Sequence, residues 1–312
     1  MILPLQSLSF RTVVLGLAVA FAGCATAPSD KVVAPVVAPV PAPLPLAAAP
    51  KAKPIIGLAL GGGGAKGFAH IGVIKALEAQ GIFPDIVIGT SAGSVVGAMY
   101  ASGKDGFAMQ AMALDLEMGK LFEWSFFGPG FIKGDAIPKF VNTTVGGKTI
   151  ENFPKKFGAV ATDIESGEAV VFRRGDAGIA ALASSSVPII FSPVAIGGRQ
   201  YVDGGLTNPV PVRLAYEMGA TFVIAVDISD KPGKGDASSY RYLASQVLSI
   251  MGEVIRRQDR PADITIRPDI SRLGSATFDR DQSTRAIFEG ERAAAAEMSK
   301  LKDKLAKFGD RS

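Results

Sequence analysis

The 312 residues include only one histidine, His70, and one cysteine, Cys24. A lone cysteine excludes a disulfide within the chain, and the pair falls short of the ligands a structural zinc site of the usual Cys/His type requires. The same scarcity restricts nucleophilic catalysis, because a Ser-His-Asp triad could exist only with His70 as its base. An excess of charge of one sign is also missing. Lys and Arg number 33 against 29 Asp and Glu, a net +4 with no long basic run, which reads as ordinary solubility rather than an affinity for nucleic acid. Apolar side chain is plentiful at 48%, so disorder throughout is excluded and one large domain or two small ones can form. Glycine (36) and proline (20) are abundant, and their placement punctuates the chain.

Residues 12–23, TVVLGLAVAFAG, are uncharged, follow Arg11, and are too short to span a bilayer comfortably. They read as the apolar core of a secretory signal occupying residues 1–23. Ala22-Gly23-Cys24 resembles a bacterial lipoprotein box, in which the cysteine sulfur receives a diacylglyceryl group, although Phe21 stands where such boxes usually carry Leu. The alternative is a plain signal or anchor beside a bystander cysteine. Ala25, in place of an aspartate, resembles lipoproteins sent on to an outer membrane. The expectation is a chain lipid-anchored in the cell envelope at Cys24, at the outer membrane and facing the periplasm. Residues 24–54 are rich in proline and alanine, which suits an extended tether of about 3.1 Å per residue rather than a helix or central strand.

Residues 55–312 then alternate strand and helix patterns. Residues 55–60, IIGLAL, lie between Pro54 and four glycines and suit a buried parallel strand. Helical spacing follows over 65–79, a second buried strand over 85–89, and a second helix over 92–101. Later strands are expected at 157–164, 169–172 and 221–229, with helices at 176–185, 209–218, 237–258 and 283–306. This order predicts an α/β fold, a mostly parallel sheet sandwiched by helices, with its ligand site at the carboxyl ends of the strands.

Gly89-Thr90-Ser91-Ala92-Gly93 satisfies G-x-S-x-G between a predicted strand and a predicted helix, the context of a nucleophile elbow. Gly89 and Gly93 would let strand and helix approach, while the helix amino terminus favours negative charge at Ser91. Gly62, Gly64 and Gly67 satisfy G-x-G-x-x-G, yet the next strand ends in Gly89-Thr90-Ser91 where a dinucleotide site wants an acid for the ribose. No Ser or Thr follows Lys66 in the P-loop position either. What remains is a glycine loop able to turn N–H groups toward an anion beside Ser91. No histidine follows Ser91, so the chain order of an α/β-hydrolase triad is excluded. His70 lies within an amphipathic run and reads as a packing histidine. An aspartate must then serve as base. Asp203, before Gly204-Gly205, is a candidate, with a simple turn aspartate the equal alternative on spacing alone.

Taken together, Gly62-Gly63-Gly64-Ala65-Lys66-Gly67, Gly89-Thr90-Ser91-Ala92-Gly93 and Asp203-Gly204-Gly205 resemble the patatin-like phospholipase family in order and context. GFAHIGVIKALE from Gly67, ATDIESGE from Ala161, ASSSVPIIFSPV from Ala183 and LTNPVP from Leu206 extend the resemblance over most of residues 55–230. It implies a Ser91-Asp203 dyad, an oxyanion hole from the backbone N–H groups of Gly62, Gly63 and Gly64, and a lipid or acyl-ester substrate, without metal or organic cofactor. It implies a serine acyl-ester hydrolase of phospholipase or lysophospholipase type. The runner-up is a patatin-fold lipoprotein that binds lipid, or acts as a scaffold, with little or no turnover. Phe122, Trp124, Phe126, Phe127 and Phe131 crowd residues 121–131, which read either as packed core or as an acyl-binding or bilayer-facing flap.

Overall fold

Strand β1 (Ile56–Leu60) pairs in parallel with β2 (Ile86–Thr90) on one side and β7 (Phe222–Val226) on the other. A strand flanked and covered in this way is buried on both faces, which is why its text is continuously apolar. In the computed structural model, residues 53–114, 136–188, 190–233, 238, 240–273 and 280–308 are described, all within the unit Pro50–Ser312. Among the described residues the sheet has eight strands, in the order β5 (Val194–Ile196), β6 (Arg199–Asp203), β3 (Lys156–Asp163), β2, β1, β7 and β8 (Ile264–Ile266), with β4 (Ala169–Phe172) paired to β3. Strands β3, β2, β1, β7 and β8 run parallel. Strands β4, β5 and β6 join as antiparallel pairs.

Side chains alternate across β1. Leu58 and Leu60 enter the larger core with α1 (Phe68–Glu78), α2 (Ala92–Ala101) and the last helix, α8 (Arg280–Phe308). Ala59 enters the second core with Val212, Leu214 and Ala215 of α6 (Val212–Glu217). Helices therefore cover both faces. Helices α1 and α8 touch backbone to backbone. A methyl at Gly72 would lie 1.9 Å from Ile287 O, and one at Gly290 would lie 2.0 Å from Ala69 O.

Some boundaries differ from the sequence expectation for local reasons. β7 ends at Val226 rather than at 229, because the Asp227 carboxylate turns back to accept from the Ser229 N–H and hydroxyl. Helix α6 starts at Val212, after Pro209 and Pro211, which have no N–H to donate. Elements not foreseen include α3 (Gly106–Ala113), α4 (Ala136–Thr144), β5 and the short β8. Asp105 caps α3, its Oδ1 accepting from the Ala108 N–H at 2.7 Å. The hairpin that creates β5 turns through Gly197 and Gly198, both at positive φ. Helices α5 (Ala177–Ser185) and α7 (Tyr240–Gln258) fall close to their expected ranges. Among the described residues no helix is long and apolar enough to cross a membrane.

Candidate active site

Ser91 sits between the last residue of β2 and the first of α2, with φ 53° and ψ −124°. It is the only non-glycine residue at positive φ among the described residues. Such a conformation costs free energy and persists only where the surroundings impose it. The two glycines of the motif do so sterically. A methyl at Gly89 would lie 2.1 Å from Gly93 O, and one at Gly93 would lie 2.2 Å from Leu60 O, so the turn closes only without these side chains.

Hydrogen bonds then fix the serine backbone. The Ser91 N–H donates to Ser184 Oγ at 2.9 Å, and Ser184 Oγ donates to Val160 O at 2.5 Å. The Ser91 carbonyl accepts from both the N–H and the hydroxyl of Ser94. Thr90 Oγ1 donates to Asn208 O at 2.7 Å, tying the elbow to the segment after Asp203. These bonds leave the Ser91 hydroxyl free to meet Asp203.

Asp203 closes β6, in register with Ala161 of β3. Its N–H donates to Ser186 O, and its carbonyl accepts from Thr162 Oγ1 at 2.9 Å. Oδ1 accepts the Gly205 N–H at 2.6 Å. The chain can fold back in this way because Gly204 has no side chain; a methyl there would lie 2.2 Å from Val160 O. Oδ2 is buried and completes no hydrogen bond of good geometry. The side chain acting on this carboxyl is the Ser91 hydroxyl. Burial raises the Asp203 pKa to about 6, opposed in part by the Gly205 N–H and the Ser91 hydroxyl.

The glycine loop lies against this pair. A methyl at Gly62 would sit 3.2 Å from Ser91 Cβ. Gly62 does not, however, offer the free donor expected of it, because its N–H donates to Pro209 O at 3.0 Å. Gly62 supplies closeness, and the donor role falls to its neighbours. Among the described residues the N–H groups of Gly63 and Gly64 carry no backbone or side-chain acceptor. The loop is held from three sides: Gly61 N–H donates to Val226 O, His70 Nε2 donates to Gly61 O at 2.8 Å, and the buried Lys66 pairs with Asp230. His70 is fully buried, and burial lowers its pKa to about 4, opposed by the Gly61 bond and the Asp227 charge. It is a neutral loop support at neutral pH.

Ser91, Asp203, Gly62, Gly63, Gly64, Gly89 and Gly93 therefore converge, whereas Cys24 and the aromatic stretch 121–131 lie outside the described residues. Sequence reasoning missed Ser184, Thr162 and Pro209, whose bonds hold Ser91, Asp203 and Gly62 respectively. The Ser184-Ser185-Ser186 run was the visible signal, but nothing in its spacing tells which hydroxyl reaches Ser91.

The profile of the patatin-like phospholipase family matches residues 58–216, half of the chain, a span that holds Ser91, Asp203 and the glycines of both motifs. The chain belongs to that family. An uncharacterised NTE family protein of Mycobacterium tuberculosis is 38% identical over 178 residues, which is 56% of this chain and 49% of that protein. Lysophospholipase nte1 of Emericella nidulans is 32% identical over 227 residues, 70% of this chain and 14% of that protein. The chain thus spans about half, or much less, of the length of these curated relatives. Among solved structures, VipD from Legionella pneumophila superposes with a TM-score of 0.49 at 15% identity, covering 81% of this chain and 67% of that one.

Proposed function

We propose that this chain is a serine hydrolase of lipid carboxylic esters that works through a Ser91-Asp203 dyad. The observation that carries the reading is a strained, solvent-poor serine facing a buried aspartate with one carboxylate oxygen unengaged. Oδ2 accepts the Ser91 hydroxyl proton as Oγ attacks the ester carbonyl, and the carbonyl oxygen gains negative charge. The free N–H groups of Gly63 and Gly64 stabilise that oxyanion, each donor worth about 3 kcal/mol in the transition state. The α2 amino terminus adds favourable potential. Collapse expels the alcohol, which takes the proton from Asp203, and leaves an acyl-serine. Water then gives its proton to Asp203, attacks the acyl carbon and releases the fatty acid, and the proton returns to Ser91 Oγ.

A carboxylate at its ordinary pKa is a feeble base. Burial of Asp203 strengthens it while leaving it largely ionised at neutral pH, since its pKa is about 6. The relative named lysophospholipase and the family profile support a lipid ester as substrate class. The sequence of residues 12–24 supports attachment to the cell envelope through lipidated Cys24, with the hydrolase domain on a proline-rich tether. The test is turnover of a short p-nitrophenyl ester together with fluorophosphonate labelling of Ser91. Both should be present in the wild type and absent from Ser91→Ala. A folded wild type with neither would refute the hydrolase and leave a lipid-binding scaffold.

A further inference from the structure

Helix α7 carries a line of large apolar side chains that nothing in the described structure covers. Leu243, Val247, Ile250, Met251 and Val254 are each 43–54% exposed. Their spacing of three and four residues puts them on one face. The opposite face is seated on the active-site framework. Gly252 is buried, with a methyl there falling 3.9 Å from Pro209 Cβ, and Pro209 O holds Gly62 beside Ser91. The helix also packs against the turn Gly204–Leu206 that follows Asp203.

The outward face ends in positive charge. Arg257, three residues beyond Val254, continues the same line and is 76% exposed. Arg260 stacks 3.5 Å over the Tyr216 ring and forms no ion pair among the described residues. Arg256, Arg257, Arg260 and Arg267 border one cavity of about 370 Å³ at this end of the helix, with Asp227 and Asp259 also in its wall. Glu253, the only carboxylate within α7, is already paired with Arg256 and Arg257.

We propose that α7 is an interfacial helix that docks the domain on a bilayer containing anionic phospholipid. The apolar line would enter the acyl-chain boundary, with Arg257 and Arg260 on lipid phosphates. This rests on the reading of the site as a lipid hydrolase, since a lipid surface is where such a substrate is found. A helix with an apolar face and terminal arginines matches hydrocarbon beside phosphate. Antiparallel pairing with a second copy fits less well, because it would set Arg257 against the apolar end of the other helix with no counter-charge.

The experiment uses the full chain with Cys24→Ser, so that an introduced cysteine is the only thiol. An environment-sensitive fluorophore is placed at Val254→Cys, and, as control, at Lys300→Cys on α8. Vesicles of phosphatidylcholine with an equal part of phosphatidylglycerol should blue-shift the label at 254 and leave the label at 300 unchanged. Val247→Asp with Val254→Asp should lower turnover of vesicle lipid about tenfold or more while sparing a soluble short-chain ester. A label at 254 that ignores vesicles overturns the proposal. So does one already blue-shifted without them, whether it depends on protein concentration, as for a second copy, or not, as for a covering segment of this chain. Soluble-ester turnover is followed in the same samples. If it persists without a shift at 254, only the docking surface fails; if the shift is present without turnover, the catalytic reading fails.

Discussion

Replacing Asp203 with asparagine should stabilise the fold at neutral pH while it removes ester turnover. Burial raises this carboxyl from its ordinary value of 3.8 to about 6 in the folded chain. The folded state therefore binds the proton more tightly than the unfolded state. Its contribution to stability is complete below about pH 4 and is lost as pH rises through about 6. A difference of roughly two pKa steps amounts to about 3 kcal/mol against the fold at pH 8. Asparagine cannot ionise and keeps an oxygen for the Gly205 N–H. Thermal melts of both proteins from pH 4 to pH 8 should nearly coincide at the acid end, or differ there by a constant. They should then diverge until the variant melts roughly 5–10 °C higher than that acid-end difference. The pH-dependent part of the divergence isolates the ionisation. A gap that stays the same across this range, or a wild type that gains on the variant as pH rises, would refute the account of Asp203 as a destabilised, buried base.

Turnover by the wild type should climb about tenfold per pH unit below about 6 and level off above it, because only ionised Asp203 accepts the serine proton. A pH–rate profile that is flat there would contradict this. Gly62→Ala sets a methyl 3.2 Å from Ser91 Cβ and should cut kcat about tenfold or more in a folded protein. Gly93→Ala, whose methyl meets Leu60 O at 2.2 Å, should instead cost the fold, seen as loss of a cooperative melt. His70→Gln should keep turnover within about tenfold and retain the acid limb near 6, since His70 carries no proton in the proposed reaction; loss of that limb would make His70 the base. Cys24→Ser should abolish metabolic palmitate labelling, and a wild type that takes up no label would defeat the lipid anchor.

The parts of this molecule legible in its sequence are those governed by short-range rules. IIGLAL and DIVIG are continuously apolar because both sheet faces are covered, so β1 and β2 could be read within a residue or so. Ala92–Ala101 could be read because glycines bound it on both sides. Ser91 stood out because G-x-S-x-G is itself a steric requirement of the turn. The shortest strands were harder, since the antiparallel Val194–Ile196 and the parallel edge strand Ile264–Ile266 have three residues each and too little pattern to register. Long-range pairing was invisible as well. Pro209 O lies 147 positions from the Gly62 N–H it engages, and no local pattern announces that this donor is already used. The choice of Asp203 over a turn aspartate rested on resemblance; its burial and its register with Ala161 are properties of the assembled sheet.

The backbone contact between Gly72 and Ile287, and between Gly290 and Ala69, has a consequence for the order of events during synthesis. Helix α1 follows directly from the glycine loop, yet the surface it rests on is encoded more than two hundred residues later. The acceptors that steady the loop, Pro209 O and Val226 O, also emerge late. A nascent chain stopped short of α8 would carry the serine, both elbow glycines, the aspartate and these acceptors, yet lack the surface on which α1 rests. Loops this long close slowly, because their entropy is lost before any contact repays it. Alignment of the proposed dyad would thus be complete only once the last helix has docked, so a chain cut before α8 should fold less cooperatively than the whole.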